Sequence, residues 1–428
     1  MIGFVGLSHL GIVSSISIAS KGFKVVGFDP TTELTSNLEQ NKLPVHEPGL
    51  DDLLARSKNQ ISFTSDPKKL EACEIVYVSL DVKTDQNNSS DLGPLTGLIE
   101  EVAAYLKPET ILVVLSQVPP GFSRKLALKI KNPLYYQVET LIFGRAVERA
   151  LYPERYIVGC ENPAKSLPST FEKLLRAFEC PILPMRYESA ELAKISINMC
   201  LVSSISVANT LAEICEKMGA EWSEIAPALK LDKRIGQFSY LSPGLGIAGG
   251  NLERDLATIC QLAREYGTDA GVVEAWVANS RHRLDWVLRT LHGSVLSQNE
   301  NPTLGVWGLA YKPDTKSTKN SPSLHLLGQL KSFAVRAYDP QVELSTEQRG
   351  NKLTQAESAV EAARGATALV VMTPWKEFST ADLKQVRQVM DGDVLIDPYA
   401  ALDRRACIEL DFTYYRLGSA LEQRGGVC

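Results

Sequence analysis

The sequence predicts an α/β protein: two doubly wound parallel-sheet domains joined by a helical middle domain with a long spine helix. Three observations predict it. Short apolar strands alternate with helical stretches in the first and last parts of the chain. A glycine turn at residues 6–11 links a strand to a helix, and the following strand ends in an acid, Asp29. From Glu188 onward the texture changes to long helix. At 428 residues the chain also exceeds one typical core.

Ile2 to Val5 reads as a strand, followed by Gly6-Leu7-Ser8-His9-Leu10-Gly11 and a helical run from Ile12 to Ser20. A second strand runs from Phe23 to Phe28 and ends in Asp29. Strand, glycine turn, helix, strand and acid form the Rossmann-like dinucleotide arrangement. In it a pyrophosphate lies on the helix N-terminus and the acid accepts from the adenosine ribose hydroxyls, which favours NAD over NADP. Ser8 stands at the middle glycine of the G-x-G-x-x-G pattern, where the backbone usually approaches the pyrophosphate. Further strands are expected at Ile75–Leu80 and Thr110–Leu115, with Ser79, Ser116 and Gln117 at their carboxyl ends, where such sheets bind ligands. Glu139 reads either as a site carboxylate or as a solvated loop acid.

The spine helix is expected from Glu188 to Lys217, stopping at Gly219. Lys194 and Asn198 stand four residues apart on it and share a face, the lysine being either a snorkelling surface residue or an aimed cation. A second long helix is expected over Gly271 to Leu291, with His282 on it as a structural residue. Between them Tyr240 to Asp255 is a glycine-rich loop entering a helix. Glycines 244, 246, 249 and 250 let backbone amides approach a ligand, and Asp255 is expected in the helix's first turn. The plainer reading is a turn capped by Asn251. Ser294 to Pro302 reads as a polar linker, followed by a second α/β domain with strands near residues 303–307, 335–339, 368–372 and 394–397. The tail from Arg424 to Cys428 is expected to fray.

Composition narrows the function classes. With 44% hydrophobic and 22% charged residues, a net charge of -5 and no long basic run, the chain offers little to nucleic acid or an anionic membrane surface. It shows neither a basic n-region nor an unbroken apolar run of about 18 residues, so a cytoplasmic location is expected. The 8 cysteines are scattered without a C-x-x-C pair and the 5 histidines lie far apart, so reduced thiols and no metal site are expected.

Several separate blocks resemble the UDP-glucose/GDP-mannose dehydrogenase family, most closely its UDP-glucose 6-dehydrogenase branch. They are Leu43-Pro44-Val45-His46-Glu47-Pro48-Gly49-Leu50, the Ala190–Asn198 stretch, Asp232-Lys233-Arg234-Ile235-Gly236 before the Pro243-Gly244-Leu245-Gly246 loop, and Gly308–Thr315 with Ser321-Pro322-Ser323 and Ala337-Tyr338-Asp339-Pro340. The resemblance implies an NAD-binding domain over residues 1–187, a central helical dimerisation domain over 188–298 and a UDP-sugar-binding domain over 299–428. It also implies a homodimer and NAD-dependent oxidation of a nucleotide-linked sugar at its primary alcohol, C6. Carried over by position, Lys194 and Asn198 would stabilise an oxyanion at C6, Asp255 would order a base water and Glu139 would assist hydrolysis. Gly6, Ser8, His9, Leu10, Gly11, Asp29, Ser79, Ser116, Gln117 and Lys319 would serve the cofactor. Leu141, Tyr240, Gly244, Gly246, Gly249 and Lys312, with Lys194 and Asn198, would serve the substrate.

The departures fall where the chemistry is. Counting back from Asp255 places Asn251 on the family's nucleophilic cysteine, and an amide forms no thiohemiacetal. Gln117 replaces a threonine, Phe143 a carboxylate, and Asp397-Pro398-Tyr399-Ala400 the family's D-G-R-N. Oxidation therefore either stops at the aldehyde or proceeds without a thioester. Two alternatives stay open: a dehydrogenase of a different nucleotide-linked alcohol, and a non-catalytic NAD- or nucleotide-sugar-binding relative.

Overall fold

A computed structural model describes residues 1–85, 89–350, 352–423 and 426–427. By internal packing the chain forms two compact units, Met1–Ile197 and Asn198–Cys428. Each holds an eight-stranded sheet.

In the first unit the strands are β1 (Ile2–Val5), β2 (Val25–Phe28), β3 (Ile61–Thr64), β4 (Ile75–Val78), β5 (Ile111–Val114), β6 (Leu134–Gln137), β7 (Tyr156–Cys160) and β8 (Ile182–Arg186). Their order is β3-β2-β1-β4-β5-β6-β7-β8. All pairs are parallel except β6 with β7. The neighbouring strands β2, β1, β4 and β5 are buried throughout, as a parallel sheet covered on both faces requires. Alternate residues feed separate cores: Phe4, Tyr77 and Val113 pack into one, Val5, Val78 and Val114 into the other. The order reverses between β1 and β4, so the loops after these strands open the crevice where such sheets take ligands.

The second unit carries β9 (Thr303–Trp307), β10 (Ala334–Tyr338), β11 (Leu353–Gln355), β12 (Ala368–Val371), β13 (Val394–Ile396), β14 (Thr413–Tyr415), β15 (Glu422–Gln423) and β16 (Gly426–Val427). They are ordered β11-β10-β9-β12-β13-β14-β15-β16. The pairs through β14 are parallel; β15 and β16 fold back antiparallel. Of the tail expected to fray, Arg424, Gly425 and Cys428 lie outside the described residues, whereas Gly426–Val427 pairs with Glu422–Gln423.

The spine helix is one 32-residue element, Tyr187–Met218. No charged residue occurs between Lys194 and Glu213, and an 18-residue window reaches a mean hydropathy of 1.5 with a third of it buried. By length and composition it is thus long enough and apolar enough to cross a membrane, against the expectation of no such stretch. The average reaches that value without an unbroken apolar run, because Ser, Asn and Ala alternate with Ile, Val and Leu.

Three local expectations are corrected. The helix over 271–291 breaks in two, Gly271–Leu284 and Trp286–Leu291, at Asp285 (φ −84°, ψ 0°), whose carboxylate turns to His325 at 3.4 Å. Aspartate is a poor interior helix residue, and here it follows the basic turn Arg281-His282-Arg283. The expected linker starts late, because His292–Leu296 is still helical and Val295 is buried in the second unit's core. The helix after the glycine loop, Asn251–Tyr266, is capped by Gly250 at φ +98°, not by Asn251. Asp255 is therefore its fifth residue, one position later than a cap at Asn251 gives and just past the first turn.

The spine helix's C-terminal part is tied down by charge. Arg283, fully buried, gives Nη2 to Glu216 Oε1 at 3.1 Å and lies 3.3 Å from Glu213 Oε2. Glu216 also accepts from Trp286 Nε1 at 2.8 Å and from the Gly418 backbone N–H at 3.0 Å. Glu216→Ala takes from the buried guanidinium its hydrogen-bonding carboxylate and leaves only the Glu213 ion pair, and the expected loss is about 3 kcal/mol of stability, read by denaturant unfolding. Glu213→Ala should cost less, because Glu216 still holds Arg283.

Candidate active site

In the first unit β1 runs into Gly6, whose φ of +84° needs glycine, and then into the helix His9–Ser20. Gly11 has to be glycine as well: a Cβ there would stand 2.2 Å from the Gly6 carbonyl oxygen and 2.6 Å from Ser79 Oγ. Asp29, at the end of β2, accepts from Leu7 N–H and Thr31 N–H, both at 3.0 Å, one on each carboxylate oxygen. A carboxylate so engaged keeps acceptor capacity for ribose hydroxyls. Ser8 turns its hydroxyl away from the helix and donates to the Ser79 carbonyl at 2.8 Å. The helix has no acid in its first turn. Together these features fit the phosphates and ribose of an NAD molecule.

The neighbouring residues shape this cradle. Leu10 is buried in the core, so only its backbone is on offer. Ser79 Oγ donates to Gly6 O at 3.0 Å and Ser116 Oγ to Val78 O at 3.4 Å; both are fully buried. Gln117 is half-buried at the end of β5. His9 pairs through Nε2 with Glu47 Oε1 at 2.8 Å and packs on Phe143 with ring centroids 4.4 Å apart. Buried Glu47 also accepts from Gly144 N–H at 3.0 Å and Ala146 N–H at 3.1 Å. Sequence reasoning gave Glu47 no role. Its setting between Pro44 and Pro48 was a signal that this turn is held from within.

Glu139 is not a solvated loop acid. Lys194 Nζ donates to Glu139 Oε1 and to its backbone carbonyl, both at 2.9 Å, while Oε2 accepts from Leu141 N–H at 2.8 Å. The side chains are only 12% and 18% exposed, so Lys194 is a largely buried, ion-paired cation and does not snorkel to the surface. The Leu141 amide is thereby committed to Glu139, and its side chain packs on the first unit's core.

In the second unit Asn198 Nδ2 donates to Asp255 Oδ2 at 2.5 Å, and Arg254 Nε lies 3.4 Å from Asp255 Oδ1. Asp255 is 1% exposed. The glycine loop is strapped at two points that periodicity does not reveal. Asn209, on the spine helix, accepts from Gly244 N–H, and Ser280 Oγ accepts from Ile247 N–H, both at 2.8 Å. At Gly246 (φ +83°) a Cβ would come within 2.5 Å of the Ser280 carbonyl, and at Gly249 (φ +93°) within 2.6 Å of the Tyr311 ring. Gly244 has only the Tyr399 ring nearby, 3.8 Å from a built Cβ. The Lys319 side chain lies against Gly250, while Glu253 ties the loop by accepting from Gly250 N–H at 2.6 Å and from Asn320 Nδ2 at 2.7 Å. Lys312 Nζ sits 5.7 Å from the Tyr311 ring centroid, and Tyr240 is exposed.

Asn251 is the exposed first residue of its helix, the place a helix N-terminus would activate a nucleophile. Cys260 follows nine residues later, about 14 Å along the axis. Burial pushes its thiol up, away from the thiolate form. Cys200 is two positions from Asn198 on the spine helix, roughly 200° around it. Among the described residues no group of His, Cys, Asp and Glu could hold a metal ion.

Known proteins share this architecture. The sequence matches the UDP-glucose/GDP-mannose dehydrogenase family over residues 1–179 (NAD binding domain), 188–281 (central domain) and 305–404 (UDP binding domain). It is 28% identical over 435 residues to UDP-glucose 6-dehydrogenase TuaD of Bacillus subtilis (strain 168), covering 97% of this chain and 93% of that protein. In fold it is similar to a UDP-glucose dehydrogenase from Pyrobaculum islandicum, with a TM-score of 0.85 at 22% identity over 98% of this chain and 97% of the other. It is also similar to the UDP-D-ManNAc dehydrogenase from Pyrococcus horikoshii, with a TM-score of 0.83 at 22% identity over 98% and 99%. Three consecutive domain matches and the NAD cradle converge: the chain belongs to the UDP-glucose/GDP-mannose dehydrogenase family and is an NAD-dependent dehydrogenase acting on CH–OH donors.

Proposed function

We propose that the chain oxidises a UDP-hexose-like nucleotide sugar at its C6 primary alcohol, and that the oxidation stops at the aldehyde. The observation that carries this reading is on one helix: a buried lysine held by a carboxylate stands four residues before an amide that donates to a buried aspartate. Lys194 and Asn198 would hold the charge that develops on the C6 oxygen as its proton leaves. Asp255 would order the water that takes the proton. Gly6 to Gly11 and Asp29 would hold NAD, which when bound supplies the acceptor for the C6 hydride. The glycine loop 244–250, Tyr240 and Lys312 would hold the nucleotide sugar. Passage to the acid by the thioester route needs a thiol, and Asn251 offers none.

NADH formation with UDP-glucose and a panel of other nucleotide-linked alcohols tests the substrate class. Turnover is expected with UDP-glucose. Turnover only with another nucleotide-linked alcohol would replace the substrate, and no turnover with any of them despite NAD binding would leave a non-catalytic relative.

A homodimer is part of the same reading. Val207, Leu211, Ile214 and Met218 recur at helical spacing along one face of the spine helix and are 51%, 39%, 48% and 70% exposed. Such a stripe calls for a partner surface, and a second copy supplies its own. The protein is expected to behave as a dimer in light scattering. Leu211→Glu combined with Ile214→Lys should give monomers, whereas a wild-type monomer would refute the dimer.

A further inference from the structure

Lys194 is only as well placed as the stretch of chain that holds it. Glu139, which receives the lysine on a carboxylate oxygen and on its backbone carbonyl, begins the stretch 139–145 that leads from β6 to the short helix Ala146–Leu151. The bond from Leu141 N–H to Glu139 and a turn closed by Arg145 N–H on the Ile142 carbonyl at 2.9 Å are internal to that stretch. They shape it but do not anchor it. Two charged side chains from outside it do.

Glu47 takes the far end. Its Oε2 accepts from Gly144 N–H at 3.0 Å and from Ala146 N–H at 3.1 Å, and its Oε1 pairs with His9 Nε2 at 2.8 Å. The residue is 1% exposed, so protein donors stand in for the water that this carboxylate has lost. His9 is the first residue of the cofactor helix His9–Ser20, and its ring packs on Phe143 of the same stretch. Arg149 takes the near end. Its Nε donates at 3.3 Å to the carbonyl of Thr140, the residue next to Glu139, while its Nη1 is held by Glu154 Oε1 at 2.7 Å.

We propose that Glu47 and Arg149 are positioning residues for alcohol oxidation: Glu47 fixes the stretch 139–145 against the cofactor helix, Arg149 fixes its backbone beside Glu139, and together they hold the Lys194 ammonium in place. The inference rests on the role given to Lys194 under the proposed function, and both residues act through that lysine. Glu47→Gln keeps the shape of the side chain but leaves one acceptor oxygen, and its NH2 group then faces one of the donors now answered by the carboxylate. Arg149→Gln removes the donor to Thr140; the ion pair lost with it is to a 60% exposed glutamate and contributes little by itself. A shift of roughly 1 Å in an oriented group can cost about 100-fold in rate.

The test is a set of double-mutant cycles on the full-length protein, with NAD and the nucleotide-linked alcohol that wild type oxidises fastest. Glu47→Gln and Arg149→Gln are each made alone and with Lys194→Ala, and thermal unfolding is measured on every variant. Each single variant is expected to lower kcat by about 10–100-fold with a smaller change in KM. In the Lys194→Ala background the same substitutions should change kcat by no more than about twofold, because the group they position is gone. A residue that served stability alone would lower the unfolding temperature and leave kcat unchanged, or multiply its full effect onto that of Lys194→Ala; either result would overturn the proposal. If Glu47→Gln does not fold, the Arg149 cycle decides in the same way. A Lys194→Ala variant with wild-type kcat, or a wild type without turnover on any nucleotide-linked alcohol, would overturn the reading of Lys194 and this inference with it, whereas a slow Lys194→Ala beside fast Glu47→Gln and Arg149→Gln would overturn the inference alone.

Discussion

Lys194→Ala is expected to lower kcat for alcohol oxidation by about 10²–10³-fold, with a much smaller change in KM for the nucleotide sugar. The magnitude is that of removing one pre-aimed donor from a developing oxyanion. Lys194 qualifies because its side chain is only 12% exposed and its ammonium is held by two oxygens of Glu139, so little reorganisation is left for the moment of reaction. The split between kcat and KM separates this role from a packing role, which would reduce stability without singling out kcat. Thermal unfolding of the variant guards against the second case, since Glu139 keeps its bond from Leu141 N–H when the lysine is gone. A variant that keeps wild-type kcat would remove Lys194 from the chemistry.

The second large effect is a gain. Asn251→Cys is expected to change the stoichiometry from one NADH per product to two. The substitution places a thiol at the first residue of the helix Asn251–Tyr266, where the helix N-terminus lowers a thiol's pKa and favours the thiolate. A thiolate adds to the C6 aldehyde to give a thiohemiacetal, whose oxidation yields a thioester and a second hydride. Water then releases the acid and regenerates the thiol. Should hydrolysis lag in the variant, a burst of NADH equal to twice the enzyme concentration and a covalent adduct by mass spectrometry would mark the thioester. Position 251 is exposed and its helix is capped by Gly250 and Glu253, so the exchange of amide for thiol disturbs little else. Unchanged stoichiometry with no adduct would mean that residue 251 does not meet the aldehyde.

The sequence reveals those parts of this architecture that local periodicity encodes. β1, β4 and β5 are short apolar runs ending in Gly6, Ser79 and Leu115-Ser116, and both the strands and the crevice beyond them can be read from that pattern. The spine helix is legible because its apolar and small residues continue unbroken by glycine or proline until Gly219. Lys194 and Asn198 stand out on it, one as a lone cation and the other as an amide one turn on. What periodicity does not encode is which distant group answers which. Glu47 meets His9 across 38 residues, Asn209 meets Gly244 across 35, and Ser280 meets Ile247 across 33. Each is a polar group whose partner is set by tertiary packing, and each reads alone as an ordinary surface residue. Helix ends fail for a related reason. Asn251 has the better cap chemistry, yet Gly250 takes the cap, because the chain turns there through a conformation that glycine adopts without strain and Lys319 lies against its α-carbon.

The most direct test counts NADH against carbonyl product with UDP-glucose in single-turnover and steady-state runs, with hydroxylamine present to trap an aldehyde. One NADH per product and a trapped C6 aldehyde are expected from a site that keeps Lys194, Asn198 and Asp255 and carries Asn251 in place of the thiol. Two NADH per product with free uronate and no trapped carbonyl would show that the chain completes the oxidation without a nucleophile at residue 251, and would contradict the proposed end point.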